Sequence, residues 1–191
     1  MQIPPGPDLF TNVHKGIRRA LFAACAALGR AQGDADRERE ARALLTQALR
    51  FVEHHGENED VLLLPLLRER LPEVHARLSD AHAALDAARS SLSTAASLPA
   101  LYLDACAFTS HYLAHLDEEE RALEPRIRAV LSAEEAMDFG RRSVQRTAPG
   151  DQRMMLGWML PAMTREDAAR FLARLPPDLA AELRALTEDG A

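Results

Sequence analysis

Two segments of the chain, sixty residues apart, carry the same pattern of histidine, glutamate and proline. In each, the glutamate follows the histidine by four residues and the proline follows the glutamate by six. The copies are His55, Glu59 and Pro65, then His115, Glu119 and Pro125. Residues four apart lie on one face of an α-helix, so each pair offers an imidazole and a carboxylate to one metal ion. Two such pairs facing each other predict a dinuclear metal site inside a helical bundle.

The composition predicts helices throughout the chain. Ala, Leu, Arg and Glu dominate, aromatic residues make up 5%, and β-branched residues are scarce, so little is available to build strands. The apolar spacing predicts four long helices at about residues 8–30, 36–70, 72–92 and 100–131, the last after a loop over residues 93–99. The fourth helix is expected to bend at Pro125.

Antiparallel packing of these four helices brings six side chains to nearly one level. Counted from the chain reversals, their positions differ by roughly a turn of helix, at ~1.5 Å per residue. Bundle cores build metal sites from inward-facing residues in this way. We therefore predict an all-α, up-down-up-down four-helix bundle with these metal ligands: His14, His55, Glu59, His82, His115 and Glu119.

The bulk properties predict a soluble, cytoplasmic protein. The 191 residues are enough to bury a sizeable core, and no run approaches the ~18–20 apolar residues of a membrane helix. No signal peptide is recognisable. The net charge of −6 argues against nucleic acid and anionic membranes as partners. The two cysteines form no C-x-x-C motif, which argues against zinc fingers and redox dithiols.

Over roughly residues 8–131 the chain resembles the hemerythrin-like (HHE cation-binding) domains. That family takes a lone histidine from each of helices 1 and 3 and an H-x-x-x-E pair from each of helices 2 and 4. The six residues named above match these positions. The resemblance implies two iron ions bridged by the two carboxylates and by an oxo or hydroxo group, with histidines completing each shell. Manganese and zinc also suit imidazole and carboxylate ligands.

The chain departs from the oxygen carriers of the family, which have two histidines four residues apart on helix 3. Here Leu78 and Asp86 flank His82 at that spacing. The resemblance then favours a protein that binds or senses oxygen, nitric oxide, peroxide or iron. The alternatives are a di-iron oxidoreductase acting on oxygen, peroxide or nitric oxide, an iron-centre repair protein, and a structural bundle that merely retains the motif.

Several neighbouring side chains leave alternatives open. His75 competes with His82, His111 is a further ligand or an outer contact, and His54 is exposed or an outer contact. Metal-bound imidazoles usually donate their second ring N–H to a carboxylate, for which Asp86 and Asp104 are the nearby choices. We expect solvated helix faces at Glu57, Glu118 and Glu120. We expect Tyr112 to lie off the helix face that carries the ligands.

Residues 132–191 are predicted to form a helical extension that packs on or caps the bundle of residues 1–131. Ser132 and Thr164 begin helix-capping sequences, and residues 148–151 are expected to form a turn. An apolar helix over residues 154–163 contains four methionines and the only tryptophan. The alternative role of this helix is a surface for a homodimer or a protein partner.

Overall fold

The computed structural model describes residues 9–92, 97–173, 175 and 177–188, and this part of the chain contains helices and no strands. The all-α prediction is therefore confirmed. The α-helices are α1 (Thr11–Arg30), α2 (Ala35–Asn58), α3 (Leu64–Arg70), α4 (Pro72–Leu92), α5 (Leu98–Glu118), α6 (Glu124–Val130), α7 (Ala133–Arg146), α8 (Pro149–Met159), α9 (Arg165–Leu172) and α10 (Pro177–Glu188).

Two π-helical segments interrupt the long helices at equivalent places. The first π-segment, Glu59–Leu63, joins α2 to α3, and the second, Glu119–Leu123, joins α5 to α6. In each, a backbone N–H reaches five residues back, from Leu64 to Glu59 and from Glu124 to Glu119. Pro65 and Pro125 follow directly and cannot donate a helical hydrogen bond, so the ladder breaks here. The sequence predicted a continuous helix at Pro65 and a bend at Pro125, without a π-segment before either proline.

Local signals fix most helix ends. Asp34 caps α2 by accepting from the N–H groups of Asp36 and Arg37. Helix α5 begins at Leu98, earlier than predicted, because Ser97 accepts from the Ala100 N–H and Pro99 suits a first turn. Residue 8 and residues 93–96, also part of these predictions, lie outside the described residues.

Four helices surround a common interior. Helix α1 contacts α2 and α5, and α4 contacts the same two helices. Their buried apolar side chains form a larger cluster, which includes Ile17, Phe51 and Leu116, and a smaller one. The smaller cluster includes Phe10 and Leu123. Because buried polar residues lie between the two clusters along each helix, a polar layer crosses the interior.

The last three helices, α8, α9 and α10, share the larger cluster, whereas α7 contributes to the smaller one. Helix α8 contacts α1 and α2. Three of its residues and the residue that follows it are buried in this cluster: Met155, Leu156, Met159 and Leu160.

Ser132 forms a complete capping box with Glu135, and Thr164 caps α9. The predicted turn at residues 148–151 was wrong, since Pro149 occupies the first turn of α8. A domain boundary at residue 131 stays a prediction.

None of the helices in the described residues combines the length and the apolar character needed to cross a bilayer.

Candidate functional site

The structure brings all six predicted site residues together in the polar layer. They form two groups of four, and the facing donor atoms of each group lie within 4.8 Å of one another. The first group contains His14 and His55, and the second contains His82 and His115. Glu59 and Glu119 belong to both groups and are fully buried.

Each shared glutamate turns one oxygen toward each pair of histidines. Glu59 Oε1 lies 3.3 Å from His55 Nε2, and its Oε2 lies 3.3 Å from His82 Nε2. Glu119 Oε2 lies 3.4 Å from His14 Nε2, and its Oε1 lies 3.2 Å from His115 Nε2. The two carboxylates therefore lie between two imidazole pairs, as ligands shared by two neighbouring cations would.

The two lone histidines are held from outside by acidic residues. His14 Nδ1 donates to Glu120 Oε1 at 2.9 Å, and Arg18 donates to both oxygens of Glu120 at 2.6 and 3.0 Å. His82 Nδ1 donates to Asp60 Oδ1 at 2.6 Å. Donation from Nδ1 orients each ring so that its Nε2 faces the shared glutamates.

These two acidic residues were not predicted. Asp86 and Asp104 do not hold the rings, and Glu120, expected on a solvated face, has only 24% of its side chain exposed. The sequence did carry a signal, because Asp60 and Glu120 each directly follow a shared glutamate in the repeated motif. The repeat thus includes an acidic residue directly after each glutamate, in addition to the histidine, glutamate and proline.

Replacing Glu120 with glutamine is expected to weaken metal binding by about 10–100-fold, the usual effect of losing a carboxylate behind a histidine ligand. Arg18 and His14 would both lose their anionic partner. Competition with a chelating dye measures the affinity. Asp104→Asn, at an exposed position on α5, is the control and should bind metal like the unaltered chain. Equal affinities for the two variants would contradict this role of Glu120.

The other histidines lie outside both groups. His75 is half-buried and His111 is exposed, and neither contributes to a ligand group in the described part of the chain. His54 is half-buried, with its Nε2 3.1 Å from Asp151 Oδ2. Since Arg50 also contacts Asp151, at 2.6 Å, this cluster joins α2 to the start of α8.

Tyr112 was expected off the ligand face, but it packs against the site. Its ring is buried and meets the His115 ring edge-on, with centroids 5.7 Å apart. The reason is helical geometry: residues three apart are also neighbours on a helix surface. Burial, with a smaller effect of Glu119, raises the pKa of Tyr112 well above its usual value, so its phenol stays protonated.

Burial and mutual repulsion control the charges in the layer. Burial and the neighbouring Glu119 raise the pKa of Glu59 to about 8. Burial also disfavours a charge on Glu119 and on His82, but neighbouring groups of opposite charge prevail. His115 and His82 hold the pKa of Glu119 well below its usual value, and Glu119, Glu59 and Asp60 raise the pKa of His82 to about 11. Without a cation, protons therefore reside in this cluster at neutral pH.

The residues fit a metal cation. All four carboxylate oxygens of Glu59 and Glu119, and His82 Nε2, are buried and make no hydrogen bond to any described residue. Leaving such groups unsatisfied costs about 1–3 kcal/mol each, and more when they are charged. Burial and nearby His14 lower the pKa of His55 well below its usual value, which favours the neutral imidazole that binds metals. Imidazole and carboxylate without thiolate suit iron, manganese or zinc.

Metal binding is expected to release protons. At pH 7, His82 and Glu59 each hold one proton in the metal-free chain, because their pKa values are about 11 and about 8. Both protons must leave before these groups bind a cation. Affinity should therefore fall as the pH is lowered, and above pH 8 only the His82 proton should remain to be released. Calorimetric titration in buffers of different ionisation enthalpy counts the protons; a pH-independent affinity would contradict the assignment.

One side of the site opens into a cavity of about 80 Å³, here called the site cavity. It lies among α2, α4 and α5, and its walls include His82, His115 and Tyr112. The volume has room for a few water molecules. The cavity therefore gives small molecules access to the second ligand group.

The comparison with family models matches residues 6–137 to the hemerythrin HHE cation-binding domain, which confirms the resemblance seen in the sequence. The comparisons with curated proteins and with solved structures found no match.

Proposed function

Because the chain belongs to the hemerythrin HHE cation-binding family, we propose that it is a non-haem di-iron protein that binds or senses a small diatomic or oxidant ligand. One observation carries this proposal. Glu59 and Glu119 each direct one oxygen toward each of two histidine pairs. This arrangement suits two neighbouring cations that share both carboxylates, and an up-down-up-down course of the four long helices would account for it.

The proposed ligand is oxygen, nitric oxide or peroxide because the site cavity is small. Its volume of about 80 Å³ suits diatomic molecules and other small species. Two imidazoles and two carboxylates would hold each cation, and an iron ion held in this way would have room for a small ligand. Iron would supply the redox chemistry, since a ferrous pair can give up two electrons.

The residues of the chain would control what happens to such a ligand. Phe10 stacks on His14 with ring centroids 5.4 Å apart, so apolar packing excludes water from the first ligand group. On the other side, the protonated phenol of Tyr112 lies in the cavity wall, within the same helix face as His115. Its O–H is a hydrogen-bond donor suited to a polar ligand in the cavity.

The test is metal content per chain, measured on protein purified without added metal and compared with a Glu59→Gln/Glu119→Gln double variant. The proposal predicts about two iron ions per chain, a visible charge-transfer spectrum and spectral changes on titration with oxygen or nitric oxide. The double variant should bind no metal. Failure to bind iron stoichiometrically even after reconstitution would refute the proposal.

Turnover separates the proposed binding function from an enzyme. With an electron donor present, sustained consumption of oxygen, peroxide or nitric oxide would favour the oxidoreductase alternative. Ligand binding without turnover would favour a sensor. Stoichiometric manganese or zinc in place of iron would support the metal site but contradict the proposed iron chemistry.

Two further expectations belong to this proposal. A cytoplasmic location is consistent with the absence of membrane-crossing helices from the described residues, but it stays a prediction. A homodimer or partner surface on residues 154–163 also stays a prediction, and much of that apolar surface is used internally, since Met155, Leu156 and Met159 are buried against α1 and α2.

A further inference from the structure

The site cavity has a strongly acidic lining. Four carboxylates contribute to its walls, namely Glu53, Glu57, Asp60 and Asp86, against the single guanidinium of Arg89. These residues come from α2, the first π-segment and α4. A cleft lined by charges of one sign concentrates ions of the opposite sign and raises their association rates.

The acidic lining leads to unsatisfied ligand atoms. His82 and His115, both more than nine-tenths buried, form part of the cavity wall, and His82 Nε2 makes no hydrogen bond to any described residue. Asp60 connects the two environments, because 43% of its side chain is exposed while its Oδ1 lies 2.6 Å from His82 Nδ1. A cation in the cavity would meet carboxylates first and imidazoles next.

The first ligand group is less accessible. Phe10 is fully buried and stacks on His14. Behind the same ring, Arg18 neutralises Glu120 through two hydrogen bonds, so this side offers no excess negative charge to attract a cation. The cavity on the His82 side is therefore the favourable approach for a positively charged ion.

Arg89 forms part of the wall of the site cavity. Its Nη1 is 2.9 Å from Glu53 Oε1 on α2, and its Nη2 is 3.4 Å from Asp86 Oδ1 on its own helix. The guanidinium neutralises part of the acidic lining and occupies space beside the cavity. Its side chain is partly exposed, so it can move aside without disturbing the packed core.

We propose that the site cavity is the route by which divalent metal ions reach the paired histidine and glutamate groups. Glu53, Glu57 and Asp86 attract the hydrated ion, Asp60 adds negative charge and holds the His82 ring in place, and Arg89 is a counter-ion that slows the passage of the ion. This inference rests on the proposed function, because it presupposes that the six buried residues bind metal. It adds a transient cation site formed by carboxylates that are not themselves ligands of the final centre.

The experiment measures the rate of Fe²⁺ uptake by stopped flow, without oxygen, in the full chain and three variants. Glu57→Gln/Asp86→Asn removes two cavity charges and is expected to slow uptake by about 10-fold, the lower end of electrostatic rate enhancements. Arg89→Gln should accelerate uptake. Glu40→Gln/Glu134→Gln makes the same change in net charge at exposed positions on α2 and α7 and should not alter the rate.

Final metal content and ionic strength complete the test. All variants should reach the same number of ions per chain, and added salt should slow uptake less in the double cavity variant than in the unaltered chain. Equal uptake rates for the cavity and surface variants, with full metal content, would overturn the route and leave the proposed function intact. An unaltered chain that binds no iron would refute the proposed function itself, and the route with it.

Discussion

Replacing Glu59 with glutamine is expected to abolish binding of the metal pair while leaving the metal-free protein as stable as before. In the metal-free chain Glu59 is largely protonated at pH 7, because burial and Glu119 raise its pKa to about 8. Glutamine has nearly the shape of that neutral acid. It offers only one oxygen, however, whereas Glu59 turns one toward His55 and another toward His82. Metal content should fall from two ions per chain to one or none.

Thermal unfolding with and without added metal measures both parts of this expectation. A ligand at 100 times its dissociation constant stabilises a protein by about 2.7 kcal/mol, or roughly 5–11 °C for a chain of this length. The unaltered chain should show this increase, and Glu59→Gln should show a smaller increase or none. Glu57→Gln is the matched control: it lies on the same turn but is exposed, and it should retain the full increase. A Glu59→Gln protein that unfolds without metal would contradict the charge assignment.

Replacing Gly16 with alanine is expected to destabilise the protein, although the same change inside a helix usually stabilises it by about 0.5–1 kcal/mol. A Cβ at this position would lie 2.6 Å from Met159 Cγ, 3.0 Å from Met159 Cα and 3.1 Å from Phe51 Cε1. Neither the Met159 backbone nor the buried Phe51 ring can yield easily. Overpacking of this kind costs about 1–3 kcal/mol.

Gly140→Ala supplies the comparison, because Gly140 is also helical and a Cβ there would meet nothing within 4 Å. Urea unfolding should show a higher midpoint for Gly140→Ala and a lower one for Gly16→Ala. Gly16 lies two residues after His14, so its variant should also bind metal more weakly as α1 shifts. A stabilised Gly16→Ala protein would show that α8 does not pack against α1 as described.

The site residues were predictable because their signal is local. His55–Glu59 and His115–Glu119 each need only one turn of helix, and the repeat made both pairs visible. His14 and His82 followed from their distances to the chain reversals, since residues at similar distances from a turn come to one level in antiparallel helices. The structure brings these residues together, although metal binding itself is still a proposal.

The hydrogen bonds to the outer nitrogens of His14 and His82 could not be predicted. They depend on how each helix is rotated about its axis, which residue spacing alone does not determine. Asp60 and Glu120 reach histidines 22 and 106 residues away in the chain. The π-segments begin at the preceding glutamates and change the helical repeat there, so a uniform 3.6-residue repeat misjudges which later side chains face inward. Tyr112 was missed for a simpler reason. Only residues four apart from His115 were placed on its helix face, whereas Tyr112 is three residues before it.

The sequence contains a residue needed for α8 to pack on α1, but its role is recognisable only from the structure. Gly16 interrupts an otherwise good helix-forming sequence, and its lack of a side chain lets Met159 approach α1. In the sequence, that glycine has no visible partner. The methionines of residues 154–163 were equally compatible with an internal contact and with a partner surface, because both bury the same apolar atoms.

Because the polar layer separates the two apolar clusters, we expect them to behave as two cooperative units. The larger cluster joins α1, α2 and α5 to α8, α9 and α10, whereas the smaller one rests on α3, α6, the two residues before α1, and parts of the π-segments, α4 and α7. Apolar packing is broken at the layer, so the smaller unit can open without unfolding the larger. Amide protons of α3 and α6 should exchange faster than those of α2 and α5 in the metal-free chain. A cation bound by residues of the polar layer would link the two units, so that they would open together.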